Sequence, residues 1–125
     1  MKYAVAVVKV GCQETIPKLG EFFAELRRRH LETRSVIKGR FNWHTSGVSP
    51  CSKNDHIVAY LCVGDNAIEG TLAAAREPFA NDGFVGTKEC SCNITDTIFV
   101  PETAAEQAQL LYHFWPEFKF LGDPF

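Results

Sequence analysis

Residues Tyr3–Val10 are apolar on both faces and rich in valine, the pattern of a strand covered on at least one side. Thr15 can cap a helix with Pro17 in its first turn. Ile16, Leu19, Phe23, Leu26 and His30 then recur at helical spacing, which predicts one apolar stripe with His30 packed at its end. Lys18, Glu21, Glu25, Arg28, Arg29 and Glu32 mark the opposite, solvated face. Thr33–His44 alternates, with Ile37, Gly39, Phe41 and Trp43 on one face and Lys38, Arg40, Asn42 and His44 on the other, which predicts a half-exposed strand. The Ser, Gly, Pro, Asn and Asp residues of 45–55 predict a loop, long for a hairpin. His56–Val63 is apolar at most positions and predicts a second central strand. Asp65 or Asn66 can cap a second helix, with Glu69 closing a capping box on Asn66. Ile68, Leu72, Ala75 and Phe79 form its stripe, and Pro78 should end it. Asp82-Gly83 marks a turn, and a last strand falls within Thr87–Val100, centred on Ile94–Val100.

The order β-α-β-β-α-β, with the most apolar strands first and third, predicts an α+β fold of the ferredoxin-like kind. It is a four-stranded antiparallel sheet with two helices on one face and those two strands in the middle. Residues 1–100 make this unit. Residues 101–125 add to the same domain a helix over Pro101–His113 and an aromatic tail over Trp115–Phe125. Six of the fifteen aromatic residues lie in 112–125, too many for a solvated end, so the tail must dock on its own domain or on a neighbour.

A chain of 125 residues, 46% hydrophobic and 22% charged, has the size and composition of one folded domain and excludes disorder, collagen-like repeats and coiled coils. It has no apolar run long enough to span a membrane. The apolar start of the chain is too short for a signal peptide before Lys9 interrupts it, and the five cysteines are odd in number and irregularly spaced, so they read as reduced thiols in the cytoplasm. Net charge is −2, but it is polarised: ten basic against four acidic side chains in residues 1–53, three against eleven in 54–125. Such asymmetry attracts an anionic ligand to the first half or pairs copies of the chain, unless folding interleaves the charges into a mixed surface.

If Ile37, Phe41, Trp43, Ile57, Ala59 and Leu61 face the two helices, the other sheet face shows Lys38, Arg40, Asn42 and His44 beside His56, Val58, Tyr60 and Cys62. Val, Tyr and Cys do not simply face water, so a second copy or the chain's own extra helix covers them. A ligand pocket at that covered edge would use Lys38 and Arg40 for an anion, with Tyr60 beside them. His44 and His56 bracket the loop, and strand pairing would bring both, with Asp55, to one end of the sheet, where a histidine beside a carboxylate can shuttle a proton. Against this stands the plainer reading of two solvated loop histidines. His113 ends a helix, where its charge suits the dipole. Cys90-x-Cys92 lacks the spacing of structural zinc sites, and Cys51 has no histidine fixed beside it, so neither a metal nor a cofactor is expected. No Walker loop, G-x-G-x-x-G, H-E-x-x-H or G-x-S-x-G occurs. Arg27-Arg28-Arg29, with Arg34, Lys38 and Arg40 nearby, could track phosphates, but Glu25 and Glu32 neutralise part of the run. His56–Val63 also lacks the basic-glycine-aromatic pattern of RNA-recognition strands, which argues against nucleic acid.

The element order and the long loop before the third strand resemble the PII-like trimeric proteins, which bind nucleotides in clefts between subunits. A more particular likeness is to the small phage lyases of that architecture that degrade S-adenosylmethionine. It is carried by Gly39-x-Phe41 followed by Ser46, Cys62-x-x-Asp65-x-Ala67, Ala75-Arg76 and Thr97-x-Phe99. Those lyases carry a catalytic glutamate just before the third strand, where this chain has Asn54-Asp55, so the resemblance gives that role to Asp55, with a shorter reach. Together these features lead to an expected homo-oligomer, dimer or trimer, that binds a small anionic or adenosyl-type (nucleotide-type) ligand at a subunit interface. Two alternatives stand beside it. One is a metal-free lyase or isomerase with Asp55 or His56 as proton acceptor, His44 as acid and Lys38 and Arg40 as anchor. The other is a protein-interaction module without a small-molecule ligand.

Overall fold

The computed structural model describes residues 2–9, 15–42, 54–79 and 98–125. Its elements are β1 (Lys2–Lys9), α1 (Thr15–Arg28), β2 (Glu32–Asn42), β3 (Asn54–Gly64), α2 (Ala67–Phe79), β4 (Ile98–Phe99), α3 (Ala104–Phe114) and a 3-10 turn over Pro116–Phe120. The fold is α+β: one four-stranded sheet in the order β2-β3-β1-β4, with every neighbouring pair antiparallel. The two strands read as central, β1 and β3, are the inner ones. Lys2–Lys9 and Ile57–Gly64 pair along the whole of β1, which explains why their sequences tolerate so few polar side chains. Of the last expected strand, Ile98–Phe99 is described, and Asp82-Gly83, Cys12, Cys51, Cys90 and Cys92 lie outside the described residues.

Each sheet face carries its own core. Ala4, Ala6, Val8, Cys62, Ile98 and Val100 point toward α1 and α2 and pack with Phe22, Leu26, Ala67, Leu72 and Ala75. Val5, Val7, Ile57, Ala59, Leu61, Val63 and Phe99 point the other way, against Leu110 and Leu111 of α3 and Trp115. This reverses the face assignment made from the strands alone: Ile37, Ile57, Ala59 and Leu61 meet α3, whereas Tyr60 and Cys62 meet α1 and α2. The chain's own third helix covers the second face. The tail docks there too, with Phe118 edge-on to Tyr3 at 4.9 Å and the Trp115 indole N–H donating to Ser35 Oγ at 3.1 Å.

Two helix details also differ from expectation. The stripe of α1 centres on Phe22 and Leu26, both fully buried, with Leu19 and Phe23 half-buried beside them. His30 is not packed at its end. It is exposed, at φ 60°, where its N–H donates to the Arg27 carbonyl at 3.0 Å while Leu31 N–H reaches Leu26 O at 2.9 Å. This is a Schellman ending, and the buried residue it delivers is Leu31. Gly64 and Gly70 leave the room Leu31 occupies: a Cβ on Gly64 would stand 2.5 Å from Leu31 Cδ2 and 2.9 Å from the His30 carbonyl, and one on Gly70 2.7 Å from Leu31 Cδ1.

Candidate functional site

The β2–β3 ladder decides which candidate residues meet. Residues opposite one another on an antiparallel pair share a face. Val36 stands opposite Tyr60, Lys38 opposite Val58, Arg40 opposite His56 and Phe41 opposite Asp55. Lys38 and Tyr60 are therefore diagonal neighbours on one face, at a Cα spacing of about 7–8 Å for such pairs. Their register depends on a bulge between Thr33 and Ser35: Thr33 stands opposite Cys62, and Ser35 opposite Leu61. The extra residue turns Ser35 toward α3, where Trp115 finds it, and sets Val36 and Lys38 on the side of α1.

On that side Tyr60 packs edge-on against Phe23 of α1, with ring centroids 5.1 Å apart. Burial raises its phenol above the ordinary tyrosine range, so it remains a neutral hydroxyl that donates and accepts. Val58 is half-buried, Lys38 is exposed, and Val36 keeps half of its surface in water. A cation thus stands beside an aromatic and apolar floor that α1 covers only in part. Such a surface suits a flat ligand with a negative charge.

The other candidates are reached only through the backbone. Arg40, Asp55 and His56 occupy adjoining rungs of the ladder, two and three residues beyond Lys38 and Val58, and their side chains lie outside the described residues, as does all of His44. Cys62 is fully buried under α2, where burial pushes its thiol up to about 12, so it is no nucleophile near neutral pH. Among the described residues no group of three or more His, Cys, Asp or Glu side chains is placed to hold a metal ion. The basic run behind α1 is partly neutralised as its charges suggested: Glu25 accepts from Arg28 at 2.6 Å and from Arg29, and the Arg29 hydrogen bond chiefly holds its carboxyl below the usual range.

Helical spacing placed Phe23 on the apolar stripe of α1 but could not name Tyr60 as its partner. Val36 was left out of the candidate face, although alternation from Lys38 puts it there. No protein-family model matches the chain, and no curated protein matches it either. Among the described residues no helix is long and apolar enough to cross a membrane.

Proposed function

We propose that this protein is a cytoplasmic homo-oligomer of the ferredoxin-like kind that binds a small anionic or adenosyl-type ligand at a subunit boundary. The strand order β2-β3-β1-β4, antiparallel throughout, with α1 and α2 on one face, supports the ferredoxin-like reading, and the likeness to PII-like proteins accords with it. The observation that carries the ligand is the placement of Lys38 diagonal to Tyr60 across the β2–β3 ladder, on the face where Phe23 packs edge-on to Tyr60 and Val36 is half exposed. Lys38 would pair with the anion and Tyr60 would take the flat ring, with Arg40, two residues further along β2, adding positive charge. In the alternative lyase or isomerase reading, Asp55 or His56 accepts the proton and His44 returns it. Its support is that Arg40 and His56 share a rung of this ladder.

Thermal unfolding of the full chain against AMP, ATP and S-adenosylmethionine tests the binding. A ligand at a hundred times its Kd adds about 2.7 kcal/mol, or roughly 10 °C in a domain of this size. One of the three should raise the midpoint, and Lys38→Ala should remove most of the gain. No shift with any of them would refute the reading. Release of product from S-adenosylmethionine that stops in an Asp55→Asn, His56→Gln variant would replace the binder with the lyase.

A further inference from the structure

Three large apolar side chains stand in water among the described residues: Val36 at 50% exposure, Phe120 at 87% and Leu121 at 67%. Single exposed residues of this kind are ordinary, but these fall at two places with opposite surroundings. Val36 lies on β2 between exposed Arg34 and Lys38. Among the described residues Glu32 supplies an opposing charge there, pairing with Arg34 at 2.9 Å. Phe120 and Leu121 form the tip of the tail, between exposed Glu117 and Asp123; the opposing charges among the described residues are Lys119 and Lys2, whose Nζ donates to the Phe125 carbonyl at 2.9 Å. The support under that tip is fixed, because Phe118 packs on Tyr3 and the Tyr3 N–H donates to the Pro124 carbonyl at 2.9 Å. The two places lie apart within one chain: Val36 shares the face of α1 and α2, whereas Trp115, Phe118 and Phe125 pack on the other.

We infer that a second copy of the chain covers the Arg34-Val36-Lys38 strip with its own Phe120–Leu121 tip, the acidic flanks of the tip meeting the basic flanks of the strip. The contact joins two different patches, so it runs head to tail. It rests on reading the ligand surface as a subunit boundary and names what forms the boundary. Val36 faces Tyr60 across the ladder, so the neighbour's aromatic tip closes over Lys38 and Tyr60.

Sedimentation of the full chain over a wide concentration range tests this with Val36→Lys and Leu121→Glu, both at exposed positions and checked for fold by circular dichroism. The wild type should associate and each variant alone should sediment as a monomer. An equimolar mixture should form a one-to-one dimer, because the intact tip of one variant meets the intact strip of the other. A monomeric wild type, variants that associate as the wild type does, or a mixture that stays monomeric would each overturn the contact. Should Val36→Lys lose the fold, the uncharged Val36→Ser should weaken association, and unchanged association would again overturn it. Ligand bound by a monomer would remove this interface and leave Lys38 and Tyr60 in place, whereas association without any ligand would do the reverse.

Discussion

The side-chain amide of Gln107 takes the place of a strand beside Val5. Val5 N–H donates to Gln107 Oε1 at 2.7 Å, and Gln107 Nε2 donates to the Val5 carbonyl at 3.3 Å and to the Pro101 carbonyl at 3.1 Å. The reason lies in the register of β4. Phe99 pairs with Val7 and Ile98 with Val8, so the same register would set Pro101 opposite Val5, and proline has no N–H to continue the ladder. Thr103 caps α3, its hydroxyl accepting from Glu106 N–H at 3.2 Å, and so starts the helix where Gln107 reaches inward. The outer side of β1 is thus closed in pieces: Phe99 at Val7, Gln107 at Val5 and Pro124 at Tyr3.

Replacing Gln107 with methionine should leave two buried backbone groups of Val5 without partners. At about 1–3 kcal/mol for each, denaturant unfolding should show a loss of roughly 2–5 kcal/mol. Gln107→Glu sharpens the test, because a carboxylate there faces two carbonyls and is disfavoured in the folded state. A group whose ionised form is disfavoured on folding binds its proton more tightly when folded, so stability falls as pH rises. Gln107→Glu should therefore lie closest to the wild type in acid and fall away from it above pH ~4.3, the ordinary glutamate value.

Leu31 and the two glycines around it form one packing unit. Gly64→Ala should be the costlier of the two glycine changes, because the His30 carbonyl is backbone and cannot swing aside. Gly70→Ala meets only the end of the Leu31 side chain. Overpacking of this kind costs about 1–3 kcal/mol. In a double-mutant cycle, Leu31→Ala should recover more of the Gly70→Ala loss than of the Gly64→Ala loss.

Cys62 gives stability a pH dependence on the alkaline side. Its thiol is pushed up to about 12 by burial, from an ordinary value of 9.0, so the folded state keeps the proton after the unfolded chain has released it. Unfolding then releases a proton, and stability falls with rising pH between those two values by up to about 1.4 kcal/mol per unit. The Cys62→Ala protein, whatever its lower starting stability, should lack that part of the slope when unfolding is followed from pH 8 to pH 10.

Thr71 is fully buried in α2, and among the described residues its hydroxyl oxygen has no well-placed hydrogen-bond partner; a polar neighbour is the weakly donating Cys62 thiol. Thr71→Val removes an unsatisfied oxygen at nearly the same shape and should stabilise the protein by about 1 kcal/mol, read as a midpoint several degrees higher. A loss of stability would show that the Cys62–Thr71 contact is a working hydrogen bond.

Much of the fold was legible because β1 and β3 are apolar on both faces, which only inner strands require, and because the density of aromatics from Tyr112 onward called for docking, which Trp115 and Phe118 supply while Phe120 stays exposed. The direction of the faces was not legible. Alternation says which residues of β2 and β3 go together, but not which set meets α1. The extra residue at the Thr33–Ser35 bulge leaves no mark in composition. His30 continued the helical spacing of α1 by position alone, while the chain had already turned into the left-handed region to bury Leu31 instead. Of the candidate site, Lys38 and Tyr60 were legible as strand neighbours. The Phe23–Tyr60 contact and the Gln107 bridge depend on crossings of the chain that no local pattern encodes.

Native mass spectrometry of the freshly purified full chain, set beside its denatured mass and repeated with Lys38→Ala, reads subunit number and bound ligand together. The expected result is an oligomer carrying a small anionic molecule that is released on denaturation and is missing from the Lys38→Ala protein. A bare monomer, or an occupant retained equally by Lys38→Ala, would contradict it.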